Sequence, residues 1–440
     1  MAVKIIGGGL AGAQAALVTA KAGIETVLYE MRPNKQTGAH KTGDFAEIVC
    51  SNSLGSKELS VASGLLKEEL RILGSDLIKI ADECKVGAGG ALAVDRHLFS
   101  ARINALIEQN PNIKVIREEI TSIPTDFPTI IASGPLTAEP LTQNIKKFTE
   151  EENLHFYDAI APIIEKDSIN FDIAFYANRY DKGDADYINC PMNKEQYEKF
   201  YNFLINAPTI ELKEFEKGAK FFESCLPVEV IAKRGADTLR FGPLKPVGLV
   251  DKRTNDKNYA VVQLRQDDKA ANLYNLVGFQ TNLRWGAQKE LISLIPGLEN
   301  ANIVRYGVMH RNTFIFSPKV LYPTLQTKKR ADLFFAGQIT GVEGYTESIA
   351  TGLLAGINMA KLLKGEELLH LSADTMLGAL CNYITFEEHK SLNPINSNWG
   401  ILPTLEVDKK YRKDKKYKAQ IYVQKSTEYL HELVKEKITW

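Results

Sequence analysis

A glycine-rich turn between a short apolar strand and an alanine-rich helix opens the chain, and it constrains the fold more than any other feature. Val3-Lys4-Ile5-Ile6 reads as a buried strand and Gly7-Gly8-Gly9-Leu10-Ala11-Gly12 as the turn. Ala11 to Ala22 reads as a helix that Gly23 ends, and Ile24 to Tyr29 as a second strand. The glycines have separate jobs. Gly7 allows the tight turn, Gly9 lets the backbone approach a pyrophosphate, and Gly12 lets the helix pack close to the strand. The helix N-terminus, from Leu10 and Ala11 onward, offers N–H groups and a partial positive charge to phosphate oxygens. Glu30, 18 residues beyond Gly12, is placed to accept hydrogen bonds from ribose hydroxyls. Gly8, Met31 and Arg32 belong to the same expected site. A GxGxxG alone is weak in a chain with 31 glycines; the strand before it, the helix after it and the acid beyond make it a dinucleotide site.

A second glycine segment decides which dinucleotide. Asp332 to Gln338 reads as a strand running into a turn at Gly337 and Gln338, followed by Gly341 and Gly344. From Thr346 to Leu363, Ile349, Leu353, Ile357 and Ala360 recur at helical spacing. This resembles the closing strand-turn-helix of FAD-binding oxidoreductase folds, where backbone N–H groups meet the flavin end of the cofactor. The expected fold class is α/β: an FAD-binding Rossmann-like fold, glutathione-reductase-like, with a large inserted α+β domain. With 440 residues the chain exceeds the ~250–300 at which one core stops growing. Residues 1–150 form the first part of the FAD domain, 151–302 the insertion that takes the substrates, and 303–440 the second part with a basic tail.

Lysine plus arginine equal aspartate plus glutamate at 54 each, so any contact with nucleic acid has to come from a local surface. The tail supplies one candidate. Seven of the eleven residues from 408 to 418 are basic, among them Lys409, Lys410, Arg412, Lys413, Lys415 and Lys416, with Tyr411 and Tyr417 between them. Such a strip suits phosphates and stacked bases, and it equally suits a solvated helix face. No run of ~18 apolar residues predicts a membrane span. The first residues lack the apolar core of a cleavable leader. Five cysteines, odd in number and without a CxxC, predict reduced thiols and a cytoplasmic protein. No His/Cys group has metal-ligand spacing, so no metal is expected. Nothing in the sequence sets an oligomeric state; a monomer is compatible with it.

Two cysteines lie in unusual company. Cys50 follows AHKTGDFAEIV in a polar loop with Ser51, Asn52 and Ser53, and Cys225 lies in FFESCLPVEVIA, residues 221–232. A reduced cysteine is commonly a small buried hydrophobe, and that reading stands beside the reactive one. These segments, with GAGGALAVDR (87–96), DYINCPMN (186–193), DTLRFGPLKPVGL (237–249), VVQLRQDD (261–268), GFQTNL (278–283), MHRNTFI (309–315) and AGQITGVEGYTES (336–348), resemble one known family. It is the folate- and FAD-dependent tRNA uracil-5 methyltransferases. The matches run in the family's order over nearly the whole chain. Phe316 stands where the family usually has Asn, and Ser391 to Asn396 is a loose version of its Pro-Met-Asn segment. A sister family of FAD-dependent tRNA wobble-uridine modifiers shares the fold and the end motif but lacks the two cysteine segments.

The resemblance implies tRNA and methylenetetrahydrofolate as substrates, FAD as cofactor and NAD(P)H as electron source. It implies Cys225 as the thiol that adds to uracil C6, and Cys50 as a thiol near the flavin that assists; the reverse division of roles stays open. His310 is a candidate to stack on the folate pterin, and a core histidine is the competing reading. Arg96, Arg240, Arg284 and Asn282 are candidates for folate or RNA, with structural pairing as the alternative for the arginines. Cys84 and Cys381 read as buried helix thiols and Cys190 as structural. The rival functions are another FAD-dependent oxidoreductase and the wobble-uridine modifiers.

Overall fold

The computed structural model describes residues 2–151, 154–159, 161–181, 184–210, 226–254, 258–411 and 414–438, with backbone alone at 154–159, 310, 311 and 409. The turn-bearing strand, Val3–Ile6, is the centre of a five-stranded sheet. Across the sheet the order is Leu333–Phe335, Thr129–Ile131, Val3–Ile6, Thr26–Tyr29 and Ile113–Ile116, all parallel. Val3, Ile5 and Ile6 are buried whichever face they point to, as a parallel strand covered on both sides requires. The edge strand Leu333–Phe335 comes from the last third of the chain, so the sheet joins both ends of the polypeptide.

The helix after the turn spans Leu10–Lys21 and packs along Tyr345–Leu363. Small residues make this contact possible. A Cβ added to Gly352 would lie 2.3 Å from the Ala11 carbonyl oxygen, and one on Gly356 would lie 2.9 Å from Val18 Cβ. A Cβ on Gly12 would meet the Gly7 carbonyl oxygen at 1.8 Å, which is the close helix–strand approach expected of the third motif glycine. Gly7 itself has φ +103, a conformation that suits glycine alone.

A second sheet of six strands is antiparallel throughout. Its order is Phe175–Tyr176, Tyr187–Met192, Ala260–Gln266, Leu273–Leu276, Ile163–Glu165 and Ile303–Arg305. Alternation sorts its two faces. Ile188, Cys190, Met192, Ala260, Val262 and Leu264 enter one apolar cluster with the helices Lys194–Asn206 and Trp285–Ser293. Asn189, Gln263 and Arg265 occupy the opposite face, where the Gln263 amide donates to Asn189 Oδ1 at 3.0 Å. Cys84, Cys190 and Cys381 are all buried and in no disulfide. Burial pushes each of these thiols up, Cys381 to about 12.

The C-terminal part folds back on the first. Helices Met376–Ile384 and Lys415–Lys437 both pack on Ala62–Ile72. Glu69, fully buried, holds the junction: its carboxylate accepts the N–H groups of Met376 (2.5 Å) and Leu377 (2.9 Å) and the hydroxyl of Ser426 (2.6 Å). Among the described residues no helix is long and apolar enough to cross a membrane.

Candidate active site

Gly7, Gly9, Leu10, Ala11, Glu30, Met31, Arg32, Gly337 and Gln338 line one groove at the carboxyl ends of the parallel strands. Gly8 and Gly12 do not line it. The Gly8 N–H donates to Glu30 Oε2 at 2.8 Å, and Gly12 forms the close contact with Gly7. Two observations fit the groove to a dinucleotide. The helix Leu10–Lys21 has no side-chain cap and no acid in its first turn, which leaves its N–H groups for an anion. The space above Gly9 is open, with nothing within 4 Å of where a Cβ would stand. Tyr345, at the start of the second helix, lines the groove too; that helix lacks a side-chain cap but carries Glu347 in its first turn.

Glu30 is more heavily engaged than its expected role demands. Its Oε1 accepts the backbone N–H of Arg32 (3.0 Å) and Arg32 Nε (2.9 Å), while Oε2 accepts Gly8 N–H and Arg32 Nη2 (3.2 Å). Arg32 Nη1 continues to Glu47 at 2.9 Å. Burial acts most strongly on the Glu30 carboxyl and would raise it, but the hydrogen bonds and charge of Arg32, with the Gly8 N–H, together hold it below its ordinary range. A carboxylate has about four lone-pair positions. A ribose hydroxyl would therefore share an oxygen with Arg32 or Gly8.

A second cavity adjoins the first. Gln338, Tyr345, Val49, Pro135 and Leu136 line both, and Cys50, Asn312, Glu343, Gly344, Glu347 and Asn396 line the second. Gly341 lines neither; it packs against Leu392. Cys50 is half-buried, with Sγ 2.8 Å from Tyr345 Oη, and its N–H donates to the same oxygen at 2.8 Å. Burial above all, and next the charge of the sulfur, pushes the Tyr345 phenol well above its ordinary range, so it keeps its proton. Either group can donate in the contact between sulfur and phenol; toward an ionised sulfur the phenol is the donor.

Three arginines grip the cysteine loop. Arg96 Nη1 donates to Ile48 O (3.0 Å) and Arg305 Nη2 to Val49 O (2.5 Å). Arg265 donates from Nη2 to Ser51 Oγ (2.5 Å) and from Nε to Asn52 Oδ1 (3.1 Å). Arg96 also forks onto Asp267 at 2.8 and 2.6 Å, which leaves this candidate little donor capacity for a ligand. Asn52 returns its amide to Val94 O (3.0 Å) and Gln266 O (2.8 Å). Sequence reasoning missed Arg265, Arg305 and Tyr345. Arg265 and Tyr345 stood inside the quoted motifs VVQLRQDD and AGQITGVEGYTES, but nothing in those strings says that they converge on residue 50.

The other candidates are dispersed. Cys225, Arg412 and Lys413 lie outside the described residues, as do the side chains of His310 and Lys409. Asn282 and Arg284 line neither cavity. They hold residues 208–210, where Asn282 Nδ2 donates to Ile210 O (3.0 Å) and Arg284 Nε to Thr209 O (3.2 Å). Val228 N–H donates to Gln280 O at 2.7 Å, so the chain on both sides of the cysteine segment 211–225 is tied to residues 280–284. Arg240 donates to Asp237 and lies over the Tyr259 ring, 3.5 Å from its centroid. In the tail, Asp414 caps the helix Lys415–Lys437 by accepting the N–H groups of Lys416 and Tyr417. Lys410, Lys415 and Lys416 are exposed, and the rings of Tyr411 and Tyr417 stack on each other, centroids 4.1 Å apart.

A parallel sheet with a glycine turn, completed by a strand and helix from the far end of the chain, defines an FAD-binding α/β flavoprotein. Residues 2–367 match the family described as glucose inhibited division protein A. The methylenetetrahydrofolate–tRNA-(uracil-5-)-methyltransferase TrmFO of Anoxybacillus flavithermus is 56% identical over 436 residues, covering 99% of this chain and all of that one. TrmFO of Bacillus subtilis is 58% identical over 94% of each chain. Among solved structures, Aquifex aeolicus GidA in its form II crystal has the same fold, with a TM-score of 0.71 at 18% identity over 99% of this chain and 73% of that one. The chain belongs to the TrmFO family.

Proposed function

We propose that this chain catalyses the reaction its relatives are named for, the methylenetetrahydrofolate-dependent methylation of a tRNA uracil at C5. The observation that carries the reading is its 56–58% identity to TrmFO relatives over nearly the whole chain. Its geometry agrees: a partly exposed cysteine faces a cavity continuous with a dinucleotide groove.

Uracil C5 is a weak nucleophile, and a thiolate adding to C6 turns the ring into an enolate that is reactive at C5. Cys225 is assigned that addition, on the T-loop uridine. Cys50 acts beside the cofactor, as a base toward the C5 proton or as a guard of the one-carbon unit. FAD, when bound and reduced by NAD(P)H, supplies the two electrons that separate a methylene unit from a methyl group. Gly7, Gly9 and the N-terminus of Leu10–Lys21 hold its pyrophosphate, and Glu30 with Arg32 holds its adenosine end. Gly337, Gln338 and Gly344 meet its flavin end. Residues 1–150 and 303–440 form the FAD domain and 151–302 the substrate domain. His310 stacks on folate, and Lys409, Lys410, Lys415 and Lys416 contact RNA phosphates. The protein works in the cytoplasm.

Incubation with unmodified tRNA, labelled methylenetetrahydrofolate and NADPH is expected to place label in 5-methyluridine. No labelled 5-methyluridine from FAD-loaded protein would end this reading.

A further inference from the structure

The loop that carries Cys50 is held less by its own neighbours in sequence than by the second sheet. Arg265 sits on the strand Ala260–Gln266 and Arg305 at the end of Ile303–Arg305. Between them they bind Val49, Ser51 and Asn52, the residues on either side of the thiol. The third arginine, Arg96, starts a helix of the first part of the chain and binds Ile48.

The three guanidiniums differ in how their charge is met. Arg96 is forked onto Asp267. Among the described residues, neither Arg265 nor Arg305 forms an ion pair with a carboxylate. Two further positive charges therefore sit in a half-buried site with Asp267, already forked by Arg96, as the carboxylate whose charge reaches both, and burial holds both guanidiniums below their ordinary range. Asp267 first, and after it the Cys50 sulfur, carry charges that favour the protonated form of all three arginines. Such an interaction is mutual: what a thiolate does for a guanidinium, the guanidinium does for the thiolate. Tyr345 adds a hydroxyl at 2.8 Å from the sulfur, and on the other side the carboxylates of Glu343 and Glu347 line the same cavity and oppose its ionisation.

We propose that Arg265 and Arg305 are positioning residues for Cys50, holding its loop against the second sheet and keeping its sulfur as the thiolate. The inference rests on the reading that Cys50 takes part in the reaction, because a structural cysteine would gain nothing from being ionised. It also explains why a sheet that supplies no residue to the dinucleotide groove reaches across to grip residues 49–52.

The test is the pH dependence of Cys50 alkylation by iodoacetamide in the full-length, FAD-loaded protein. Mass spectrometry of the Cys50 peptide separates it from the other cysteines. No tRNA or folate is present, so the outcome is independent of whether the methyltransferase assay succeeds. The wild-type rate is expected to reach half its plateau at least about one pH unit below the ~8.5 of an ordinary cysteine. Arg265→Gln and Arg305→Gln are each expected to raise that midpoint by about one unit, a tenfold lower rate at pH values below both midpoints. Arg265→Lys and Arg305→Lys keep the charge and should restore most of the shift. A wild-type midpoint near ~8.5 overturns the proposal without any variant. So does an unmoved midpoint in either Gln variant that retains the bound-flavin spectrum.

Discussion

Tyr345 shows how much a single group can contribute at this site. Its oxygen accepts the Cys50 N–H and lies 2.8 Å from the sulfur, and its phenol stays protonated. Hydrogen bonds to a charged partner are worth about 1.5–3 kcal/mol, or about 10- to 100-fold in rate. Tyr345→Phe is therefore expected to slow 5-methyluridine formation by about 10- to 100-fold while leaving the flavin absorbance intact. A variant with wild-type kcat would show that the contact has no part in the reaction. Cys225→Ala should be yellow, folded and inactive on tRNA; full activity in that variant would remove the nucleophile assignment. The sequence made Cys50 stand out through its polar neighbours, yet its partners were not legible. Arg265 lies 215 positions away and Arg305 lies 255, and only folding makes them adjacent.

Elements show where local signals were strong. The strand Val3–Ile6, the helix Leu10–Lys21 and the helix Tyr345–Leu363 fall within one or two residues of what glycine placement and apolar spacing indicate. The second strand is shorter than Ile24–Tyr29, spanning Thr26–Tyr29. The two small-residue helices then meet through Gly352 and Ala11, a contact that neither helix announces alone. Gly352→Ala is expected to cost about 1–3 kcal/mol by overpacking, read as a lower urea midpoint. Glu69 gives a pH signature to the junction of three helices. Burial pushes its carboxyl up to about 7 from an ordinary 4.5, against the hydrogen bonds it accepts. The folded chain thus binds this proton more tightly than the unfolded one. The stabilisation is complete below 4.5 and is lost as pH rises through about 7. Thermal melts from pH ~5 to ~8 should show a falling Tm in the wild type and a flatter profile in Glu69→Gln. Parallel profiles would exclude Glu69 as the source.

At the scale of the whole molecule, the groove is a joint between the two ends of the chain. Gly7 and Glu30 come from the first thirty residues, Gly337 and Gln338 from beyond residue 330, and all line one cavity. A ligand that binds only the folded joint stabilises it by mass action, about 2.7 kcal/mol at a hundred times its Kd. FAD is expected to raise Tm in proportion to the logarithm of its concentration, and Gly9→Val, which fills the open space above the turn, should abolish that rise. A FAD-independent Tm in the wild type would mean that the groove holds something else. The second sheet adds a further level: through Arg265 and Arg305 its contact with residues 49–52 sets the geometry at Cys50.

What the sequence determined by itself was local and periodic. A glycine turn between strand and helix, its counterpart near the other end, and the long motifs around two cysteines identified fold and family, because each is written in consecutive residues. Only the tertiary structure decided which side chains surround Cys50, that Glu30 is already gripped by Arg32, and that Asn282 and Arg284 tie down the chain beside the Cys225 segment. Those contacts depend on how side chains and segments pack in three dimensions. That packing sums many contacts, most of them between residues far apart in the chain, which no local pattern encodes.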